Sequence, residues 1–226
     1  MKTAMIVCGI DDHLPRIKKA VENIRAIFED DVDIGISTFG GPRLKASNLL
    51  KEYAAQHKLL FYDAPRQKWV TRAREFHCCE VIGMLTASKH FYDKGYDRVY
   101  LLHNDIVIKQ DFRKLIELGL KNGWSFVAPV RKTVVRDHIS LDLPTSEALQ
   151  LHSHQLAMTT TRISQECVLL NKKFIDAMYG TYGTEEQMWL KLFVYSNMHG
   201  DLALADLQHF LGFEAILTKP FIEHGY

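Results

Sequence analysis

No Cys-x-x-Cys pair occurs among the four cysteines, Cys8, Cys78, Cys79 and Cys167. A thiolate zinc ribbon and a thioredoxin-like redox motif are therefore not expected. The four thiols read as small apolar fillers in a reducing compartment, which points to a cytoplasmic chain. Long apolar runs are missing too. No stretch approaches the roughly 20 apolar residues that a spanning helix needs, so no transmembrane segment is expected. The opening run from Met1 to Ile10 is short, lacks a small-residue cleavage site and passes straight into Asp11-Asp12-His13, so it reads as a first strand and not as a signal peptide. Charge of one sign is also lacking: 28 Lys and Arg stand against 27 Asp and Glu, a formal net charge of +1. The one-sided positive field that nucleic-acid binding relies on is absent, and no nucleic-acid partner is expected. Internal repeats, low-complexity tracts and linkers are absent as well.

What is present suffices for one core. The chain has 226 residues, 47% of them hydrophobic, which is enough for one sizeable core and too little for two comfortable domains. Residues 1–226 are therefore expected to form a single domain. Strand-like and helix-like segments alternate. Thr3 to Ile10 is a compact apolar run. Asp11 or Asp12 can cap the helix that follows, with Pro15 in its first turn and Leu14, Ile17, Val21, Ile24 and Phe28 on one apolar stripe. Val32 to Phe39 and Leu59 to Tyr62 read as strands around a helix from Ser47 to Gln56. Thr71 to Tyr92 is helical and apolar nearly all round, the pattern of a helix buried on several sides. Arg98 to Ile108 reads as one strand with a polar interruption. Asp111 caps a helix through Lys121, and Phe126 to Val130 is a further strand. Glu166 to Asn171 resumes as a strand, followed by a helix from Lys172 to Tyr179, a turn over Gly180-Thr181-Tyr182-Gly183 and a helix from Thr184. Leu202 to Ala205 is a late strand. Residues 131–164 have no clear period and read as an irregular excursion of the kind that forms binding loops.

This alternation predicts an α/β fold: a Rossmann-like domain with a mostly parallel central sheet, right-handed crossovers and helices on both faces. In such sheets ligands bind beyond the carboxyl ends of the strands. That rule gathers Ile10-Asp11-Asp12, Ser37-Thr38-Phe39, Asp63 and His103-Asn104-Asp105 onto one rim. In Val99 to Ile108 two apolar runs flank His103-Asn104-Asp105. A polar break in a buried strand is costly unless its side chains find a partner. One such partner is a hard cation, Mg²⁺ or Mn²⁺, bridging the Asp to a diphosphate. An Asn-Asp turn or bulge with locally satisfied side chains is the plain alternative.

This segment resembles the Asp-x-Asp strand of the nucleotide-diphospho-sugar glycosyltransferases of the GT-A type fold, which also follows a long buried helix. The resemblance makes Asp105 the metal-binding carboxylate. The first carboxylate of the pattern is replaced by His103, which can hydrogen-bond a ribose hydroxyl or ligate a softer metal. Gly183-Thr184-Glu185-Glu186-Gln187 resembles the family's Glu-Asp motif and gives Glu186 the role of catalytic base, with Glu185 beside it. Thr184 and Gln187 also have the spacing of a capping box, and first-turn carboxylates suit a helix N-terminus without any catalytic role. Leu204 to His209 resembles the place where a His completes the metal site; His209 fits that order and His224 is its rival. His152 and His154, two residues apart, suit a metal as well, but no third ligand lies near them in sequence. Arg72 and Arg74 lie where relatives carry a basic residue that contacts the donor, and Arg grips a diphosphate bidentately.

The resemblance implies a glycosyltransferase that moves a sugar from a nucleotide-diphosphate donor to the hydroxyl of a glycan or small-molecule acceptor, metal-assisted and inverting. The nucleotide would lie near Ile10, Asp11, Thr38 and Asp63, with His103 and Asn104 alongside. Two other readings stand beside it. A nucleotidyltransferase has a similar sheet but normally a Gly-rich phosphate loop, and Gly9-Ile10-Asp11-Asp12-His13 holds one glycine. A sugar-nucleotide or glycan-binding protein would keep the fold without catalysis.

Overall fold

The computed structural model describes residues 1–38, 48–65, 76–113, 117, 126–129, 167–188, 215–218 and 222–224, with backbone only for 76–81, 126–129, 215–218 and 222–224. Strand β1 (Thr3–Gly9) is buried along its whole length. A run that is apolar at nearly every position suits a central parallel strand covered on both faces. Strands β2 (Asp33–Thr38) and β4 (Arg98–His103) flank it in parallel, and β3 (Leu60–Tyr62) pairs in parallel with β2. Beyond β4 the order continues through β7 (Cys167–Leu170), β6 (Phe126–Pro129) and β8 (Ala215–Thr218), making a seven-stranded sheet β3-β2-β1-β4-β7-β6-β8. Strand β7 runs antiparallel to both neighbours, while β6 and β8 are parallel. The expected mostly parallel sheet is thus present, as a mixed one.

Helices cover both faces. Helix α1 (Leu14–Phe28) buries Ile17, Val21, Ile24 and Phe28 of the stripe that its spacing predicts, with Ala20 beside them and Leu14 partly buried against the same core. It shares a core with Met5 and Val7 of β1, Ile34 and Ile36 of β2 and Tyr100 and Leu102 of β4, joined by Leu50 and Tyr53 of α2 (Asn48–Gln56). Each fully buried aliphatic side chain in this set contributes about 1.5–3 kcal/mol. Helix α3 (Phe76–Asp93) lies against β4 and α4 (Lys172–Tyr182). Every residue from Ile82 to Ser88 is buried, as the absence of a polar face predicts. The hydroxyl of Tyr92 donates to the Leu170 carbonyl and ties α3 to β7. Gly95, at φ +84°, ends this segment.

Three local expectations are corrected. Neither Asp11 nor Asp12 caps α1: the position before it is His13, with no side-chain cap. A 3-10 turn over Asp11–His13 instead directs the Asp11 carboxylate to α2, where it accepts from Leu50 N at 3.0 Å and Leu49 N at 3.3 Å. Arg98 to Ile108 is two strands. After His103 the chain turns, and β5 (Ile106–Ile108) pairs antiparallel with β9 (Ile222–His224) in a separate two-stranded sheet. Asn23 of α1 holds β5 there, donating to the Ile108 carbonyl at 3.0 Å and accepting from its N–H at 2.7 Å. Finally, α4 absorbs Gly180-Thr181-Tyr182. Burial of Tyr182 outweighs the turn signal, and the helix stops at Gly183, at φ +77°. The expected strand over 202–205 and the excursion over 131–164 lie outside the described residues.

Candidate active site

The register aligns the carboxyl ends of four strands. Cys8 lies opposite Ser37 on one side and His103 on the other; Gly9 pairs with Thr38, and Ser37 with Tyr62. Residues more than sixty positions apart in sequence therefore meet at one edge, and the first turn of α1 opens beside it. Gly9 lets the elements pack closely there: a β-carbon would stand 2.8 Å from Ile17 Cδ1, whose tip would have to turn aside, and 3.4 Å from Asn104 Nδ2.

Thr38, buried, donates from Oγ1 to Asp63 Oδ1 at 2.7 Å and accepts from Ala64 N at 2.8 Å. The pair fixes the chain as it leaves β3 and leaves the Asp63 side of the edge open to solvent. In the turn after β4, His103 Nδ1 lies 2.8 Å from Asp105 Oδ1. Both side chains are partly exposed, at 28% and 24%. Asp105 is thus at the surface of the edge and not in a dry core. Asn104 points inward and is fully buried. Its Nδ2 donates to the Cys8 carbonyl at 2.9 Å and lies 3.1 Å from His13 Nδ1. Burial pulls the His13 imidazole below its ordinary pKa, helped by Arg16 and His103 and opposed by Asp12 and Asp105. Ile10 is half-buried at the end of β1.

A second group forms where α3 and α4 meet β3. Tyr62 stacks on His90 with ring centroids 4.4 Å apart. The hydroxyl of Tyr179 donates to Glu185 Oε1 at 3.0 Å. Burial, reinforced by the Glu185 charge, pushes both the Tyr62 and the Tyr179 phenols above their ordinary value, so both remain hydrogen-bond donors at neutral pH. Glu185 is half-buried and Glu186 is exposed in the first turn of the following helix. Thr184 Oγ1 accepts from Gln187 N at 3.3 Å, one half of the capping box.

The structure therefore brings Ile10, Thr38, Asp63, His103, Asn104 and Asp105 to one edge, and it sets Glu185 beside Tyr62, the residue preceding Asp63. Asp11 stands at the same edge but is engaged by α2. Arg72, Arg74, His152, His154 and His209 lie outside the described residues. The backbone of His224 pairs with Ile106, next in sequence to Asp105. Sequence reasoning passed over His13, Tyr62 and Tyr179. The position of His13 in the turn between β1 and α1 was the one signal available for it; the two tyrosines carry none, since their partners lie on other elements.

The carboxylate of Asp105 suits a hard cation, whereas the His103 imidazole beside it is a softer donor. Asp105 offers a carboxylate at the solvent edge and His103 an imidazole beside it. Among the described side chains no third carboxylate, imidazole or thiolate joins them. Mg²⁺ and Mn²⁺ sites are commonly completed by substrate phosphates and water, so a single protein carboxylate at such an edge is compatible with one.

A crossed sheet with this order, α1 and α2 on one face, α3 on the other and a polar break after β4, is the GT-A-type fold of the nucleotide-sugar glycosyltransferases. The glycosyltransferase GlyE of Streptococcus pneumoniae TIGR4 superposes with a TM-score of 0.55 at 12% identity over 96% of this chain. The galactosyltransferase LgtC, solved with donor and acceptor sugar analogues, superposes with a TM-score of 0.57 at 13% identity, covering 95% of this chain and 72% of that one. The mannosyltransferase PcManGT of Pyrobaculum calidifontis, solved with GDP-Man and Mn²⁺, gives 0.51 at 11% identity, covering 97% of this chain and 55% of that one. The chain spans 45% of the length of GlyE. No protein-family model and no curated protein sequence matches it. At these identities the likeness is one of fold. Among the described residues no helix is long and apolar enough to cross a membrane.

Proposed function

We propose that the chain is a glycosyltransferase that moves a sugar from a nucleotide-diphosphate donor to an acceptor hydroxyl, with a divalent cation held at Asp105. The observation that carries this reading is the placement of Asp105: partly exposed, paired with His103, in the turn after β4, in a sheet of the GT-A type. The nucleotide lies across the ends of β1, β2 and β3, near Ile10, Thr38 and Asp63. Thr38 holds Asp63 in place for a ribose or base contact. His103 and Asp105 face the diphosphate, with Arg72 and Arg74 as further phosphate contacts. Mg²⁺ or Mn²⁺ bound there supplies charge neutralisation for the leaving diphosphate. For its remaining protein ligand His209 is the candidate, with His224, on the strand paired with β5, as its rival.

The carboxylates after Gly183 serve the acceptor. Glu186, open to solvent, takes the hydroxyl proton as the acceptor oxygen bonds to the anomeric carbon and the bond to the diphosphate oxygen breaks. Glu185, fixed by Tyr179, orients the acceptor. A base of this kind goes with inversion at the anomeric carbon, and the configuration of the product reads that directly.

The test is a transfer and donor-hydrolysis assay over a panel of nucleotide sugars with and without Mn²⁺. Glu186→Gln is expected to slow turnover by about a hundredfold or more. Asp105→Ala is expected to abolish the Mn²⁺-dependent turnover, and His209→Ala and His224→Ala compared side by side decide which histidine completes the site. Normal turnover in both Asp105→Ala and Glu186→Gln would overturn the site. A wild type that binds a nucleotide sugar and never transfers or hydrolyses it would be a binding module, a reading that His103 in place of a carboxylate favours.

A further inference from the structure

We infer that Asn104 locks His13 into the tautomer with its proton on Nε2, and that His13 thereby presents a hydrogen-bond donor to an acceptor oxygen of the bound nucleotide. The carbonyl oxygen of Cys8 can only accept, and it lies 2.9 Å from one terminal atom of the Asn104 amide. That atom must be the NH₂ group, since the amide oxygen there would set two acceptors against each other. The same NH₂ lies 3.1 Å from His13 Nδ1. With one hydrogen on Cys8 and the second on His13, the amide nitrogen donates twice, and Nδ1 must be the acceptor. A neutral imidazole that accepts at Nδ1 carries its hydrogen at Nε2.

Two further observations give the contact weight. Asn104 is fully buried, and its Oδ1 has no hydrogen-bond partner among the described residues. The side chain is held by its two donated bonds, to the Cys8 carbonyl and to His13. Gly9 lies against the same side chain: a β-carbon there would stand in van der Waals contact with the Asn104 amide at 3.4 Å. His13 itself is half-buried at the opening of α1, on the side of Asp105 and His103. Nε2, across the ring from that contact, is then a fixed donor beside the edge proposed to hold the nucleotide. The chemistry it selects is an oxygen acceptor, either a phosphate oxygen or a carbonyl of the base.

The tautomer is read directly by ¹⁵N-detected histidine NMR on the unliganded full chain, with His13→Asn assigning the resonance. The Nε2–H form is expected; a neutral Nδ1–H form overturns the lock whatever the protein binds. Calorimetric titration with inorganic pyrophosphate, with nucleosides and with nucleoside diphosphates tests the second half. His13→Phe is expected to weaken binding about tenfold, one lost hydrogen bond to a charged or carbonyl oxygen. A loss shared by pyrophosphate assigns the phosphate, and a loss shared by nucleosides alone assigns the base. Asn104→Asp is expected to bring the Nδ1–H form and the same loss; His13→Phe carries the test should Asn104→Asp unfold. Unchanged affinity in His13→Phe for every probe overturns the donor role. This inference rests on the glycosyltransferase reading only for its ligand. If wild type binds none of the probes, that reading and the donor role fall together while the tautomer lock is still decided by the NMR.

Discussion

His90 shows how a single side chain carries information that its place in the sequence hides. Its ring lies on Tyr62 and at 5.1 Å from Phe91. Burial lowers its pKa, Lys94 lowers it further, and Asp93 only partly opposes them. The sign of the consequence is fixed. The folded pKa lies below the value of about 6.5 in the unfolded chain. Between the two values the unfolded state binds more protons, so stability increases with pH there. The contribution is complete above about pH 6.5 and is lost as the pH falls toward the folded pKa. His90→Gln is expected to flatten the dependence of the urea midpoint on pH between about 5 and 7. His13 acts in the same direction, so the quantity to compare is wild type minus variant; an identical slope would show that His90 titrates as in the unfolded chain. Of the site residues, Asp105 and Thr38 were legible because strand ends can be read from apolar runs. Tyr62, Tyr179 and His13 were not, because each acquires its role from a partner on another element: His90, Glu185 and Asn104.

Between elements, two glycines separate packing from propensity. A β-carbon on Gly35 of β2 would stand 2.7 Å from Ile6 Cδ1, 2.8 Å from Leu60 Cβ and 3.2 Å from the Leu60 carbonyl oxygen. The tip of Ile6 can turn aside, but Leu60 belongs to the paired strand and can yield only by shifting β3. Gly35→Ala is therefore expected to cost about 1–3 kcal/mol by overpacking, and to weaken nucleotide binding with it, since β3 carries Tyr62 into Asp63. Gly180 of α4 faces open space, with nothing within 4 Å of a β-carbon. Gly180→Ala is expected to stabilise by about 0.5–1 kcal/mol. Chemical denaturation checks both, and a Gly35→Ala variant as stable as wild type would mean that β3 is looser against β2 than its register indicates. The same elements show what periodicity can tell. β1, α1, β2 and α3 each carry their pattern within a few turns of chain, and each forms within its predicted span among the described residues, residues 71–75 of the expected α3 lying outside them. The break of Arg98 to Ile108 into β4 and β5 was hidden because the partner of β5 is β9, more than a hundred residues away. The extension of α4 was hidden because Gly180 looks like a stop until Tyr182 is seen to be buried.

For the whole molecule, the fold places the ends of β1, β2, β3 and β4 within one edge, so ligands that bind there must sense one another. A ligand specific to the folded state stabilises by about 2.7 kcal/mol at one hundred times its dissociation constant. For a chain of this size that corresponds to a rise in Tm of about 5–10 °C. If a cation at Asp105 contacts the diphosphate of the nucleotide, each raises the affinity of the other by the same factor. Mn²⁺ and a nucleotide sugar together are then expected to raise Tm by more than the sum of their separate shifts. Asp105→Ala should remove that excess, whatever it does to the unliganded Tm. Thr38→Val has the opposite signature. It breaks the bonds to Asp63 and Ala64 N, lowers the unliganded Tm and leaves the excess in place. Shifts that simply add in the wild type would mean that cation and nucleotide occupy separate sites. The edge would then be an accident of the sheet order and not a place where the two meet.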